Sequence, residues 1–424
     1  MTPAVHQTEQ LLSSVLLQLI VMIGAARIGN TIARRLGQPG AVGEIVAGLA
    51  LGPSLFGYLL PGASAALFGG AGVPAISILS QLGLVLLMFQ IGSGFEFDRL
   101  QSPRLKRLTI AVAIPSVAVP FAFGVGLGFA SAPSLAPGID PTVYSLFCGV
   151  AMAITAVPIL GRILVEYGIA RSELGVVAIS AAAINDVAGW LLLAGISAYA
   201  TAALTGGNVA LMLGALLLFL IVLRLLMPLA GWLVERFPLR DGAIPPNLLA
   251  ILLCVAFALA ICTFRLGIFA IFGGFAAGLL FHRHRPLADA WARQVGQFVL
   301  VFFLPIFFTS TGLHTSLLGL TAGEFGWLAL VVLLAVAGKI VPVALAARLS
   351  GLPPRDALTL GALMNTRALM ELIVLNIGRE LGFLPPAMFT MLVVMAVVTT
   401  LMTGPLLQLL LPRTHGAARV RVEA

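Results

Sequence analysis

The sequence predicts an all-α integral membrane protein of thirteen transmembrane helices folded as two inverted repeats. Three observations predict it. Hydrophobic residues make up 60% of the 424 residues and charged residues only 9%, whereas a soluble chain carries about 25% charged residues. Apolar runs of span length follow one another along the chain, and no hydrophilic stretch is long enough for a soluble domain. Two of the runs are interrupted at their centres, one at Thr155 and Pro158, the other at Asn365, Thr366 and Arg367.

A helix needs about 20 apolar residues to cross the hydrocarbon layer. Hydropathy and Gly/Pro punctuation place spans near 11–33, 40–59, 74–94, 107–130, 142–166, 173–200, 208–230, 247–265, 267–281, 294–312, 325–348, 357–380 and 387–411. No Lys or Arg precedes the first, and it runs straight into span length, so a cleaved signal peptide is not expected. The ninth is short and carries Gly274-x-x-x-Gly278, a close-packing face. Cys148, Cys254 and Cys262 lie in apolar runs without metal spacing and read as small buried hydrophobes.

Basic residues test the count and set the orientation. One set of alternate loops holds Arg34, Arg35, Arg99, Arg104, Lys106, Arg107, Arg162, Arg171, Arg236, Arg240, Arg283, Arg285, Arg293, Arg348 and Arg355. The tail adds Arg413, Arg419 and Arg421, whereas the opposite loops hold only Arg265 and Arg379. This places the N-terminus outside and the C-terminus in the cytoplasm, which requires an odd number of spans. The arginines are scattered over loops rather than gathered on one face, so the charge of +8 gives nucleic-acid binding no support. Arg27 lies at the inner end of its span and can snorkel. Glu44 reads as a helix-end or gate residue, and the histidines of the HRHRP loop as part of a solvated basic loop.

The fifth span has Thr155 and Pro158 at its centre, and a proline inside a helix removes a hydrogen bond and clashes with the preceding turn. The twelfth has Asn365-Thr366-Arg367 there. Each is a candidate broken helix, and the two end alike, in GRILVEYG and NIGRELG. They stand seven spans apart, so corresponding helices run in opposite directions. Spans 1–6 and 8–13 are then inverted repeats and the seventh is a linker. Broken helices in matching positions point to a transporter's binding site.

The sixth span, 173–200, carries Asn185 and Asp186 at its middle among Ser180, Ala181, Ala182, Ala183 and Gly189. A carboxylate at the bilayer centre costs about 2.5–3.5 kcal/mol on insertion scales and is functional by default. Asp186, Asn185, Thr155 and freed backbone carbonyls form a hard oxygen set that suits a small alkali cation. Asp186, Glu371, Lys339 and Arg367 sum to zero charge, which a low-dielectric site tolerates. Lys339 has two readings, as a charge that takes part in exchange or as a cap on the carbonyl end of a half-helix. Arg367 and Glu371 stand four apart, as an intrahelical ion pair or as ion contacts. Asn365 and Thr366 can also serve only freed backbone groups.

At GEIVAGLALGPSLFG (43–57), LLMFQIGSGFEFD (86–98), AITAVPILGRILVE (153–166), AINDVAGWLLLA (183–194) and LGALMNTRALMELIVLNIG (360–378), the chain resembles the monovalent cation:proton antiporter superfamily. It is most similar to the second branch, with its Kef-type potassium efflux systems and plant cation/proton exchangers. The resemblance implies the sodium/proton antiporter fold over residues 1–412, with crossed broken helices beside the ion-binding aspartate and a short tail at 413–424. Spans 1–3 and 8–10 would form a dimerisation scaffold, and spans 4–6 and 11–13 a core that moves against it like an elevator. Asp186 matches the family's ion- and proton-carrying carboxylate. Asn185 stands where electrogenic members have a second aspartate, which favours electroneutral exchange. Lys339 matches the lysine of electrogenic members, so stoichiometry stays open between one and two protons.

The expected function is antiport of Na⁺ or K⁺ against H⁺ in a cell (inner) membrane. Burial disfavours a bare carboxylate, so a proton and a cation compete for Asp186 and only the neutralised forms cross. The protein is expected to be no enzyme, to need no cofactor, and to have the lipid bilayer and a second copy of itself as partners. A cation-coupled symporter for an organic solute and a cation efflux channel are the alternatives. Solute uptake and single-channel currents would distinguish them.

Overall fold

A computed structural model describes residues 3–70, 72–94, 102–170, 172–200, 206–266, 270–315, 320–367 and 369–411. The tail at 413–424 lies outside the described residues, as do Arg99 and Arg171. The described residues are helical apart from turns and one isolated bridge between Arg240 and Ala243.

In chain order the helices are α1 (Pro3–Arg35), α2 (Gly40–Ala50), α3 (Phe56–Leu59), α4 (Pro61–Phe68), α5 (Val73–Ser93) and α6 (Pro103–Leu135). There follow α7 (Pro141–Ala153), α8 (Val157–Glu166), α9 (Glu173–Ala200), α10 (Gly206–Arg236), α11 (Pro246–Arg265) and α12 (Ala270–Leu280). After α13 (Arg285–Trp291) come two wide π turns, Ala292–Gly296 and Val299–Phe303, then α14 (Leu304–Leu313) and α15 (Ala322–Leu349). The chain closes with α16 (Pro354–Met364), α17 (Leu369–Glu380) and α18 (Pro386–Leu410).

Among the described residues, seven helices are long and apolar enough to cross a membrane, or eight with the pair at Arg285–Gly296 and Val299–Leu313, which bends by 42°. The halves of the fifth and twelfth expected spans are each too short to cross alone. The expected second span, 40–59, is not one helix. It stops at Ala50, where Gly52-Pro53 follows; a residue before proline is driven out of helical geometry. The backbone of Gly52 also lies against the carbonyl of Gly312, so that a side chain there would have no room.

The chain divides into two units. The first comprises Met1–Ala25, Phe56–Phe97 and Ala198–Ser310. Within it α5, α11 and α12 pack together, and Gly274 and Gly278 of α12 approach the carbonyls of Val85 and Phe89 of α5. Helix α11 buries Leu248, Leu252, Ala256 and Ala260, one per turn, and leaves Cys254 and Cys262 on its outer face. Those two cysteines are therefore not the buried hydrophobes expected of them, because α11 is apolar on every side and composition does not mark its inner face; Cys148 is buried. His282 of the basic loop places its Nδ1 2.7 Å from the carbonyl of Leu279 at the end of α12.

The second unit comprises Ala26–Leu55, Asp98–Ser197 and Thr311–Ala424. Residues 26–55, which belong to the first two expected spans, cluster here. Its long helices α6 and α15 pack on one another; α7 packs on α6, and α16 and α18 pack on α15. Glu44 of α2 is 2% exposed; it accepts a 2.6 Å hydrogen bond from Asn30 Nδ2 and lies 3.5 Å from Arg27 Nη1. Helix α7 starts on Asp140, whose carboxylate accepts from the amides of Thr142 and Val143, both at 2.9 Å, with Pro141 at the first helical position. A capping box of Thr321 and Glu324 starts α15.

Candidate ion-exchange site

Both expected interruptions are breaks in the chain's hydrogen-bonding. Helix α7 ends at Ala153, residues 154–156 are non-helical, and α8 starts at Val157. Pro158 is the second residue of α8, where its missing N–H costs nothing; its side chain lies outside the described residues. Helix α16 ends at Met364, and Asn365, Thr366 and Arg367 carry the chain to α17. The two breaks meet. The amide of Ala156 donates to the carbonyl of Thr366 at 3.1 Å, and Thr155 Oγ1 donates to the carbonyl of Met364 at 3.2 Å. Orphaned helix-end groups inside a membrane must find partners within the protein, and here each break serves the other.

Charge is matched to half-helix polarity. The C-terminal carbonyls of α7 receive two cations. Arg367 Nη1 donates to Ala151 O at 3.4 Å and Met152 O at 2.5 Å, while Lys339 Nζ donates to Ala153 O at 2.5 Å. Lys339 gives its other two hydrogens to Ser116 O of α6 at 2.6 Å and to Thr155 Oγ1 at 2.7 Å. Arg367 Nη2 reaches Ala335 O, one turn from Lys339 on α15, at 3.2 Å. Cations at a helix C-terminus are favoured by about 0.3–1 kcal/mol, and by up to about 2 in buried geometry. The anions stand at N-termini. Asp186, on α9, accepts from the amide of Val157, the first residue of α8. Glu371 is the third residue of α17, with Oε2 3.8 Å from Arg367 Nη1.

All of these groups are buried. Lys339, Arg367, Glu371, Asn365, Thr366, Thr155 and Asn185 are fully buried, and Asp186 is 7% exposed. Asn185 bonds Ser116 Oγ in either orientation of its amide. The orientation that satisfies both amide atoms has Oδ1 accepting from Ser116 at 2.8 Å and Nδ2 donating to the carbonyls of Ala113 and Ala181 at 3.2 Å. Thr366 Oγ1 lies 3.3 Å from Thr403 Oγ1, and the amide of Arg367 donates to Thr400 Oγ1 at 3.2 Å. Among the described residues, Asp186 Oδ1, Asn365 Oδ1 and both Glu371 oxygens accept no hydrogen bond. The structure thus brings together every site residue expected from the sequence, with Pro158 beside them in the chain. Sequence reasoning missed Ser116, Thr399, Thr400 and Thr403. Hydroxyl residues are common in membrane helices, and only the fold tells which of them face a break.

An all-helical, multi-pass chain with interrupted helices meeting at buried, mutually compensating charges is the architecture of an ion-coupled membrane transporter. The comparisons make the assignment specific. Residues 19–412 match the family described as the transmembrane sodium/hydrogen exchanger, and the chain belongs to that family, within the monovalent cation:proton antiporter superfamily, whose members are transporters rather than enzymes. It is 36% identical to the Na⁺/H⁺ antiporter NhaS4 of Synechocystis sp., over 94% of this chain and 97% of that protein. It is 33% identical to cation/H⁺ antiporter 18 of Arabidopsis thaliana, over 92% of this chain, and spans about half (48%) of that relative's length. The fold is similar to that of the sodium proton antiporter MjNhaP1 of Methanocaldococcus jannaschii, with a TM-score of 0.61 at 14% identity over 94% of this chain and 96% of that one.

Proposed function

We propose that this chain is a secondary antiporter that exchanges Na⁺ or K⁺ for H⁺ by alternating access, with Asp186 as the site both ions share. The observation that carries the proposal is Asp186 itself, a buried carboxylate on the long apolar helix α9 whose Oδ1 accepts no hydrogen bond from the described residues. A proton or an alkali cation satisfies such a group, and each removes the cost of carrying it through an apolar interior. Asn185 and Thr155 wall the site, with their polar atoms engaged by Ser116, Lys339 and Met364. The names of the relatives, Na⁺/H⁺ and cation/H⁺ antiporters, support the same exchange.

The exchange is one for one and electroneutral. An ammonium has three hydrogens to donate, and Lys339 has three acceptors at 2.5–2.7 Å; it acts as a fixed cap and keeps its proton. Asn185 in place of a second acid leaves one carboxylate to be neutralised.

The wider arrangement belongs to the same reading. Thirteen crossings in two inverted repeats, with the N-terminus outside the inner membrane, are supported by the arginine distribution and by the matching breaks. A core of spans 4–6 and 11–13 moves like an elevator against the scaffold of a homodimer, as the family resemblance implies. Proteoliposomes under an imposed pH gradient test the function. Cation-dependent proton movement is expected in the wild type and absent in Asp186→Asn; equal movement in both would refute the proposal.

A further inference from the structure

We propose that Asn365 is an oxygen ligand of the transported cation and a residue that sets the choice between Na⁺ and K⁺. The inference rests on Asp186 being the exchange site. An alkali ion that leaves water needs several oxygens, and one carboxylate supplies at most two. The oxygens around the junction are largely committed. The Thr155 hydroxyl accepts from Lys339 and donates to Met364 O, and Thr366 O accepts from Ala156 N–H. Asn185 is held by Ser116 in either amide orientation. Glu371 accepts no hydrogen bond from the described residues, but its carboxylate is held by its ion pair with Arg367, Oε2 lying 3.8 Å from Nη1.

Asn365 differs. It is fully buried, and its Nδ2 faces the carbonyl of Thr399 at 3.4 Å. An amide must turn its nitrogen, not its oxygen, towards a carbonyl, so its Oδ1 points away from Thr399. That oxygen has no donor among the described residues, which it shares with Asp186 Oδ1. The two residues belong to one junction. Asp186 accepts from Val157 N–H, while the neighbours of Asn365 on either side, Met364 and Thr366, are bonded to Thr155 and Ala156. An amide oxygen adds a ligand without adding charge, so the one-for-one balance at Asp186 is kept. It also holds the ion from the opposite broken helix, and selectivity between ions of like charge follows from ligand number and the size of the ligand shell.

The test is the cation dependence of exchange in proteoliposomes at fixed pH, with Na⁺ and with K⁺, for wild type, Asn365→Ala, Asn365→Ser and Asp186→Asn. Asn365→Ala is expected to raise KM for the preferred cation about tenfold, a loss of one strong ligand. Its Na⁺/K⁺ preference narrows. Asn365→Ser, which keeps an oxygen at shorter reach, shifts both quantities less and in the same direction. Wild-type KM and wild-type preference in the Asn365 variants, at whatever maximal rate, overturn the inference. Should a variant be too slow to assay, calorimetric cation affinity of the purified protein decides: weakened binding supports the inference and unchanged binding overturns it. Exchange surviving in Asp186→Asn would instead overturn the reading of the site itself.

Discussion

Lys339 holds its ammonium against two backbone carbonyls and one hydroxyl, all from elements other than its own helix. Removing one partner of a buried charged network costs about 3–5 kcal/mol. Lys339→Ala should therefore lower the detergent melting temperature markedly. If the lysine is a cap, the exchange that remains in this variant stays independent of membrane potential, as in the wild type; rates measured with and without a potassium-valinomycin potential decide. His284, in the loop between α12 and α13, is held below its ordinary value of 6.5, chiefly by burial, against an opposing pull from Glu235 and with a smaller push from His282. The sign follows from linkage: on acidification the unfolded chain takes up this proton before the folded one, so its contribution to stability falls as pH drops below 6.5. His284→Gln should flatten that part of the pH–melting curve; an unaltered curve would contradict the assignment.

At the scale of elements, the broken helices were legible because their centres hold residues that a plain span excludes. Pro158 forbids a hydrogen bond to Ile154, and Asn365-Thr366-Arg367 bring three polar side chains to the middle of an apolar run. The similar endings of the two second halves were also visible. Both close with a left-handed glycine, Gly168 and Gly382, and a bond back five residues, Ile169 to Leu164 and Phe383 to Gly378. Helices α1 and α15 close in the same way at Gly37 and Gly351, so this ending is a general device of the chain and weak support for a repeat. The stop of α2 at Ala50 had a signal in Gly52-Pro53 that hydropathy overrode, because the apolar run continues past it. The π turns after α13 were not legible, because hydropathy does not distinguish π from α winding. Helices α1 and α2 cross at Gly29 and Gly43, and a side chain at Gly43 would meet the carbonyl of Gly29. Gly43→Val should cost about 1–3 kcal/mol through overpacking. A melting temperature equal to the wild type's would mean that the crossing is looser than described.

At the scale of the molecule, helix polarity and charge are matched. Two cations close the carbonyl end of α7, and two acids stand at the amide ends of α8 and α17, so four formal charges cancel within one buried junction. Sequence alone supplied the four charges and their sum, but not which helix end each one serves, since that depends on how distant segments meet. The proposed orientation has its own test. In a background without the three native cysteines, Arg265→Cys should react with an impermeant thiol reagent from outside intact cells, and Arg355→Cys only after permeabilisation. The reverse pattern would invert the topology.

The measurement closest to the central claim is the number of protons released when Na⁺ or K⁺ is added to the purified, weakly buffered protein. Competition at Asp186 predicts one proton released for each cation bound, and none from Asp186→Asn. Cation binding without proton release in the wild type, or equal release from the variant, would contradict the account.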